Sequence, residues 1–318
     1  MAENDLMFAY YMEFSTHMWD DESTPARYLN MSPNYTENNN IDEALFDEMM
    51  VFLAEHGYST VVIDVGDAVK TESHPEIAAP DAWSREKMEK KLAWIRSLGL
   101  EPIPKLNFSA CHHTWLKEYR RMLSTPKYYE VCADLIREVS EIFSSPRLFH
   151  LGMDEENYAN QKWRDMVVIR GEKLWWHDAY FLFEQCEKNG ARPWVWSDYY
   201  WDHPDLFVKY MPKSVLQSNW FYGYFQHYNP GDYHYSGMHG YEKLNELGYD
   251  QVPTCSTWAT NDNPKQTLAN CRGVIAPEYL KGYMTAAWCR TTRENEYTMK
   301  NEAVRLYYAR KEYYPETL

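Results

Sequence analysis

The sequence predicts an α/β protein, and within that class a closed (β/α)8 TIM barrel. Three observations carry the prediction. Eight short apolar or β-branched runs alternate with segments of helical spacing along the 318 residues, and strands that alternate with helices build parallel sheets. One barrel of this kind takes about 250 residues, and more with insertions. The runs end in acids and tryptophans, as strands do when they deliver side chains to a barrel mouth. Neither a GxGxxG nor a P-loop marks an open doubly wound sheet, and no break in composition marks a second domain, so 1–318 reads as a single barrel domain.

Taken in order, the first strand covers 7–14 and ends near Glu13, with His17, Trp19, Asp20 and Asp21 in the loop beyond. A polar loop over 34–40 leads to a helix capped by Asn39 or Asn40. In it Ile41, Leu45, Met49 and Phe52 recur at helical spacing, and Gly57 stands where a left-handed terminator belongs. The second strand, 59–65, is continuous and β-branched, as a strand buried on both faces should be. Ser84 caps a helix with Met88, Leu92 and Ile95 on one face and Gly99 after its end. The third strand, 101–108, holds Pro102 and Pro104, each of which deletes a ladder donor; its place in the alternation keeps it in the sheet. Thr125 caps the next helix with Pro126 at its first position, and Tyr129, Cys132, Ile136, Val139 and Phe143 face inward. The fourth strand starts at Leu148, and its helix covers 171–187 with Leu174, Phe181 and Leu182 inward. Strands five to eight are 192–197, 215–220, 251–255 and 283–288. Helices follow near 241–247, 264–274 and 297–310, the last with Val304 and Tyr307 or Tyr308 inward.

A formal charge of -15 argues against nucleic acid and anionic membranes as partners, because both call for clustered Lys and Arg. No apolar run reaches the roughly 18 residues of a membrane span. The first residues, Met1 to Asp5, lack a basic stretch followed by an apolar one, so no signal peptide and a cytoplasmic location are expected. Six cysteines without a CxxC read as free thiols in a reducing compartment. The 27 tyrosines and 13 tryptophans suit large interfaces or stacking on sugar faces.

The most informative stretch is 148–157, an apolar run ending in three consecutive carboxylates, Asp154, Glu155 and Glu156. Adjacent carboxylates repel, so at least one is expected to hold the raised pKa that a general acid needs. The plain alternative is an acidic helix N-terminus, where acids cap and complement the dipole. The strand ends together offer Glu13, Asp64, Asn107, His112, Asp154, Glu155, Asp198, Trp220, Trp258, Trp288 and Arg290. Acids and indoles are what glycosidic chemistry uses. A carboxylic acid protonates the leaving oxygen, a second group serves the oxocarbenium-like centre, and aromatic faces pack on the C–H face of a pyranose. A single tryptophan is ordinarily barrel filling, but four at strand ends, Trp196, Trp220, Trp258 and Trp288, favour a sugar pocket.

A family resemblance follows from these residues. The segment His150-Leu151-Gly152-Met153-Asp154-Glu155 resembles the His-x-Gly-Gly-Asp-Glu motif at the end of strand four in family 20 glycoside hydrolases, the β-N-acetylhexosaminidases. Ser73-His74-Pro75-Glu76 is similar to that family's loop after strand two. Ile103-Pro104 followed by His112 resembles its strand-three segment, here one residue longer, and Trp196 with Asp198, and Trp288, resemble its strand-five and strand-eight positions. The resemblance implies a retaining, substrate-assisted hydrolase of terminal N-acetyl-hexosamine. Glu155 is then the acid/base, and Asp154 orients the 2-acetamido group whose carbonyl oxygen attacks C1. Tyr222 or Tyr224 supports the oxazolinium. The carbohydrate is held by Glu13, Asn107, His112, His150, Trp196, Asp198, Trp220, Tyr222, Trp258, Trp288 and Arg290, with no cofactor and no metal.

The departures are Met153 for the second glycine, Lys105 and Asn107 where acids are expected, Ala110-Cys111 for a Pro-Gly, and no arginine near Glu13. Three other readings compete. One is a glycosidase of different specificity that pairs Glu155 with Asp198 or Glu13. Another is a catalytically silent barrel that binds glycans. The last is a metal-dependent hydrolase or isomerase built on His17, His112, His113 and His150; against it, neighbours such as His112 and His113 point to opposite faces of a strand and chelate poorly.

Overall fold

The structure, a computed structural model, describes residues 6–24, 34–232 and 234–318. The reading of the first five residues lies outside these. The parallel strands are β1 (Met7–Glu13), β2 (Thr60–Asp64), β3 (Glu101–Lys105), β4 (Leu148–His150), β5 (Arg192–Trp196), β6 (Leu216–Ser218), β7 (Thr254–Cys255) and β8 (Gly282–Ala286). They lie in the order β6-β5-β4-β3-β2-β1-β8-β7. Parallel bridges from Gln217 to Gln251 and from Trp220 to Thr254 join β6 to the β7 segment and bring the sheet round to a nearly closed barrel. Between strands run α1 (Glu43–Glu55), α2 (Arg85–Ser97), α3 (Pro126–Ile142), α4 (Tyr158–Gln161), α5 (Glu172–Lys188), α6 (Tyr199–Asp202), α7 (Pro204–Tyr210), α8 (Tyr235–Glu246), α9 (Asn263–Val274) and α10 (Glu296–Tyr313). The (β/α)8 expectation is met. Among the described residues no helix is long and apolar enough to cross a membrane.

The two prolines of β3 explain its pairing. Glu101 donates to Ser59 and Lys105 accepts from Val65, so the odd-numbered residues of β3 face β2, with which the strand pairs along its whole length. Pro102 and Pro104 therefore face β4, where a donor is missing at each. The ladder to β4 starts only at Lys105 opposite His150 and continues through Leu106 N–H to the His150 carbonyl at 3.0 Å.

Period-two alternation sorts the barrel's inside from its outside. Tyr10 points out, its hydroxyl 3.1 Å from the Met299 carbonyl on α10. Tyr11 points in, its hydroxyl 2.7 Å from Asp64 Oδ2. Lys105 forms an ion pair with Asp64 in the same interior layer, both side chains wholly buried, and its Nζ sits 5.1 Å from the Tyr11 ring centre. His150 lies against Trp194 and Trp196 at ring distances of 4.9 and 4.6 Å.

Several local expectations are corrected. The cap of α1 is Asp42, which accepts from Leu45 N–H at 2.9 Å. Asn39 accepts from Thr16 N–H at 2.8 Å instead and so ties down the loop after β1. Leu174 on α5 is exposed; the buried face there is Trp175, Trp176, Ala179, Leu182, Phe183 and Cys186. On α10 the inward residues are Met299, Glu302, Ala303 and Leu306, whereas Tyr308 faces solvent. The aromatic residues of these helices occur on both faces, so an apolar stripe could be drawn along the wrong one. All six cysteines are buried and free.

Candidate active site

The acid pair sits on a turn that the sequence shapes residue by residue. Sheet pairing persists past β4, because Leu151 N–H meets the Trp194 carbonyl at 2.8 Å and Trp196 N–H meets the Gly152 carbonyl at 3.0 Å. The chain then turns through left-handed backbone at Gly152 (φ 70°), Met153 (φ 73°) and Glu155 (φ 56°). Only glycine fits the first position: a Cβ there would lie 2.0 Å from Asn107 Oδ1. Met153, a non-glycine residue, adopts the left-handed conformation that glycine favours. Asn107 Oδ1 accepts from Ser109 N–H at 3.1 Å and from Met153 N–H at 3.3 Å. Ser109 donates its hydroxyl to the Asp154 carbonyl.

Four predicted residues converge here. Asn107 Nδ2 donates to Asp154 Oδ1 at 2.9 Å. His112 Nε2 lies 3.2 Å from Asp154 Oδ2 and 3.3 Å from Glu155 Oε2. The Asp154 side chain is 11% exposed and that of Glu155 is 30% exposed, so Glu155 is the one that opens to the mouth. Burial pushes the Asp154 carboxyl up, but His112 above all, with Lys105 and Asn107, outweighs it and holds the group at about 2. Burial pulls His112 down, yet Asp154 and Glu155 raise it to about 9, so it is an imidazolium at neutral pH. The raised carboxyl foreseen for the acid run falls instead on Asp198. Burial first, then the negative charge of Asp154, pushes it to about 8. Asp198 Oδ2 accepts the Glu155 N–H at 2.8 Å and Oδ1 accepts the Trp220 indole N–H at 3.4 Å. The third acid of the run, Glu156, is structural. It is ion-paired with buried Arg170, which also holds Asp178 at 3.0 Å.

Aromatic walls surround the pair. Trp220 stacks on Tyr222 at 5.2 Å, and Tyr222 lies 6.3 Å from Trp288. Trp19, which sequence reasoning left out of the site, stands edge-on to His112 at 4.9 Å and to Trp288 at 5.6 Å. Its indole N–H has no hydrogen-bond acceptor among the described residues. Trp288 Nε1 faces the Tyr222 hydroxyl, but not at hydrogen-bonding geometry. Tyr224 is exposed, so Tyr222 is the tyrosine of the pocket wall. Trp196 and His150 form the floor beneath and are fully buried. Glu13 and Arg290, at the adjoining ends of β1 and β8, act on one another electrostatically; burial lowers Arg290 and Glu13 opposes the shift. Trp258 is 43% exposed on the loop after β7.

The Ser73–Glu76 segment serves as a clamp. Ser73 binds Glu138 on α3 through its amide, at 2.9 Å, and through its hydroxyl, at 2.6 Å. The four histidines of the metal reading do not converge. His17 Nδ1 pairs with Asp67 at 2.6 Å, His150 is in the floor, and burial beside Arg164 and Arg170 keeps His113 neutral. His112, Asp154 and Glu155 do bring one nitrogen and two carboxylate oxygens within 4.8 Å of one another. His112 Nε2 lies within ion-pairing distance of both carboxylates.

Fold and site together define an acid-bearing, aromatic-walled (β/α)8 barrel. No protein-family model and no curated protein matches the chain by sequence. Solved structures match it over nearly its full length. The pneumococcal virulence factor StrH, whose structure addresses N-glycan recognition and hydrolysis, aligns with a TM-score of 0.61 at 14% identity, covering 98% of this chain and 85% of that one. A GH20 exo β-N-acetylglucosaminidase from Vibrio harveyi aligns at 0.62 and 12% identity, covering 98% of this chain and 57% of that one. Dispersin B aligns at 0.59 and 11% identity, covering 96% and 98%. The chain thus has the fold of family 20 β-N-acetylhexosaminidase catalytic domains.

Proposed function

We propose that this protein is a glycoside hydrolase that removes terminal N-acetyl-hexosamine by a retaining, substrate-assisted route. The observation that supports it most is the division of labour in the acid pair: Asp154 is held ionised and more buried, and Glu155 is more exposed. The ionised Asp154 accepts the acetamido N–H and aims its carbonyl oxygen at C1. Glu155 gives its proton to the leaving glycosidic oxygen as the C1–O bond breaks and the oxazolinium ring closes. Glu155 then takes a proton from the water that reopens the ring, and the β configuration returns. Tyr222 faces the oxazolinium, and the imidazolium of His112 restrains both carboxylates. Trp19, Trp220 and Trp288 wall the sugar, and buried indole N–H groups offer donors to its oxygens.

The test is a panel of aryl β-glycosides with and without the 2-acetamido group, with product configuration followed by NMR. Cleavage confined to acetamido sugars with retention supports the reading. Equal cleavage of sugars lacking the group, or inversion, rejects it.

A further inference from the structure

The turn that carries the acid pair is pinned from both neighbouring strand ends. Asn107 and Ser109, beyond β3, hold Met153 N–H and the Asp154 carbonyl. The Glu155 amide is held from the other side by Asp198, beyond β5, at 2.8 Å. Glu155 is a non-glycine residue at φ 56°, a conformation that persists only where its surroundings impose it. That conformation sends its side chain to His112. We propose that Asp198 is a positioning residue, which fixes the left-handed Glu155 backbone and thereby aims the Glu155 carboxyl, and that it does not itself act on a substrate.

Two features separate this role from that of a second catalytic carboxylate. Both Asp198 oxygens are engaged, one by the Glu155 amide and the other by the Trp220 indole, and the residue is only 8% exposed. Burial, and then the negative charge of Asp154, favour the neutral acid. A neutral carboxyl still accepts an amide N–H through its carbonyl oxygen, and asparagine reproduces that acceptor in nearly the same shape, giving up only the longer 3.4 Å bond from the Trp220 indole. A nucleophile or general base, by contrast, has no substitute in asparagine.

The kinetic arm of the test rests on the glycosidase reading; the spectroscopic arm does not. Asp198→Asn is expected to keep kcat within about tenfold of wild type, and Asp198→Ala to lose about 10²-fold, the usual effect of misplacing a catalytic group by about an ångström. The His112 titration midpoint, read by NMR on ¹⁵N-histidine-labelled protein, should fall in Asp198→Ala as Glu155 swings away, and hold in Asp198→Asn. Asp198→Ser, too short to reach the amide, replaces the alanine variant if that one does not fold. Asparagine as damaging as alanine overturns the proposal, as does an alanine variant with unchanged kcat and an unchanged His112 midpoint. A wild type that cleaves no aryl glycoside rejects the glycosidase reading alone, and the His112 midpoints then decide the positioning role.

Discussion

His112 Nε2 lies almost equidistant from the Asp154 and Glu155 carboxylates, at 3.2 and 3.3 Å. One imidazolium therefore neutralises half of an adjacent acid pair that would otherwise repel, and each partner stabilises the charge of the other.

This linkage has a definite sign. The folded His112 value of about 9 lies above the free value of 6.5, so its contribution to stability is complete below pH 6.5 and is lost as pH rises through 9. Urea melts of wild type and His112→Asn at pH 6 and pH 10 should show a stability gap that narrows at the higher pH, by at most about 3 kcal/mol. A gap independent of pH counts against the imidazolium.

Glu155 and Asp154 should separate kinetically. Glu155→Gln is expected to cut kcat by about 10²–10⁴, the worth of a general acid. An aryl leaving group that departs without protonation should recover much of that loss. Asp154→Asn should impair acetamido substrates far more than sugars lacking the group. Full activity in Glu155→Gln rejects the assignment.

Gly152→Ala drives a Cβ to 2.0 Å from Asn107 Oδ1 at a residue with φ 70°. We expect a destabilisation of about 2–4 kcal/mol by chemical denaturation. Combining it with Asn107→Ala should relieve the clash but not the backbone strain, so the two changes will not add. Additive losses would mean that the two residues do not meet.

Glu302 supplies a second pH effect away from the acids. Burial pushes it to about 7, against hydrogen bonds from Thr257 and Thr285 that pull it down. For a carboxyl raised in the folded state, the native form binds the extra proton between about pH 4.5 and 7, so stability falls as pH rises across that window. Glu302→Gln should remove this slope, worth at most about 3 kcal/mol, in melts taken from pH 4.5 to 8. An unchanged slope places the titration elsewhere.

The barrel was legible because its strands are short, apolar and regularly spaced, and because Ser84 and Thr125 cap helices through their own side chains. The acid pair was legible from the motif around Gly152, whose glycine the backbone demands. What escaped depends on distant partners. Asp198, on another strand end, is raised by its burial and by the charge of Asp154, while His112 holds Asp154 down. Trp19 sits in a loop without periodicity, so nothing local announces that it meets His112. Lys105 and Asp64 neutralise each other inside the barrel, and a lysine directly after Pro104 gives no hint of its partner.

The prolines of β3 have a mechanical consequence. Toward the base of the barrel, Pro102 and Pro104 offer β4 no N–H, so the ladder between β3 and β4 registers only at Lys105 opposite His150, whereas β4 pairs with β5 from Leu148 upward. The acid-bearing strand is nonetheless tied to both staves at its upper end, through Leu106 and Phe108 on the third and Trp194 and Trp196 on the fifth. The gap that the prolines leave thus lies below the turn, and its attachments to both neighbouring staves all sit above it.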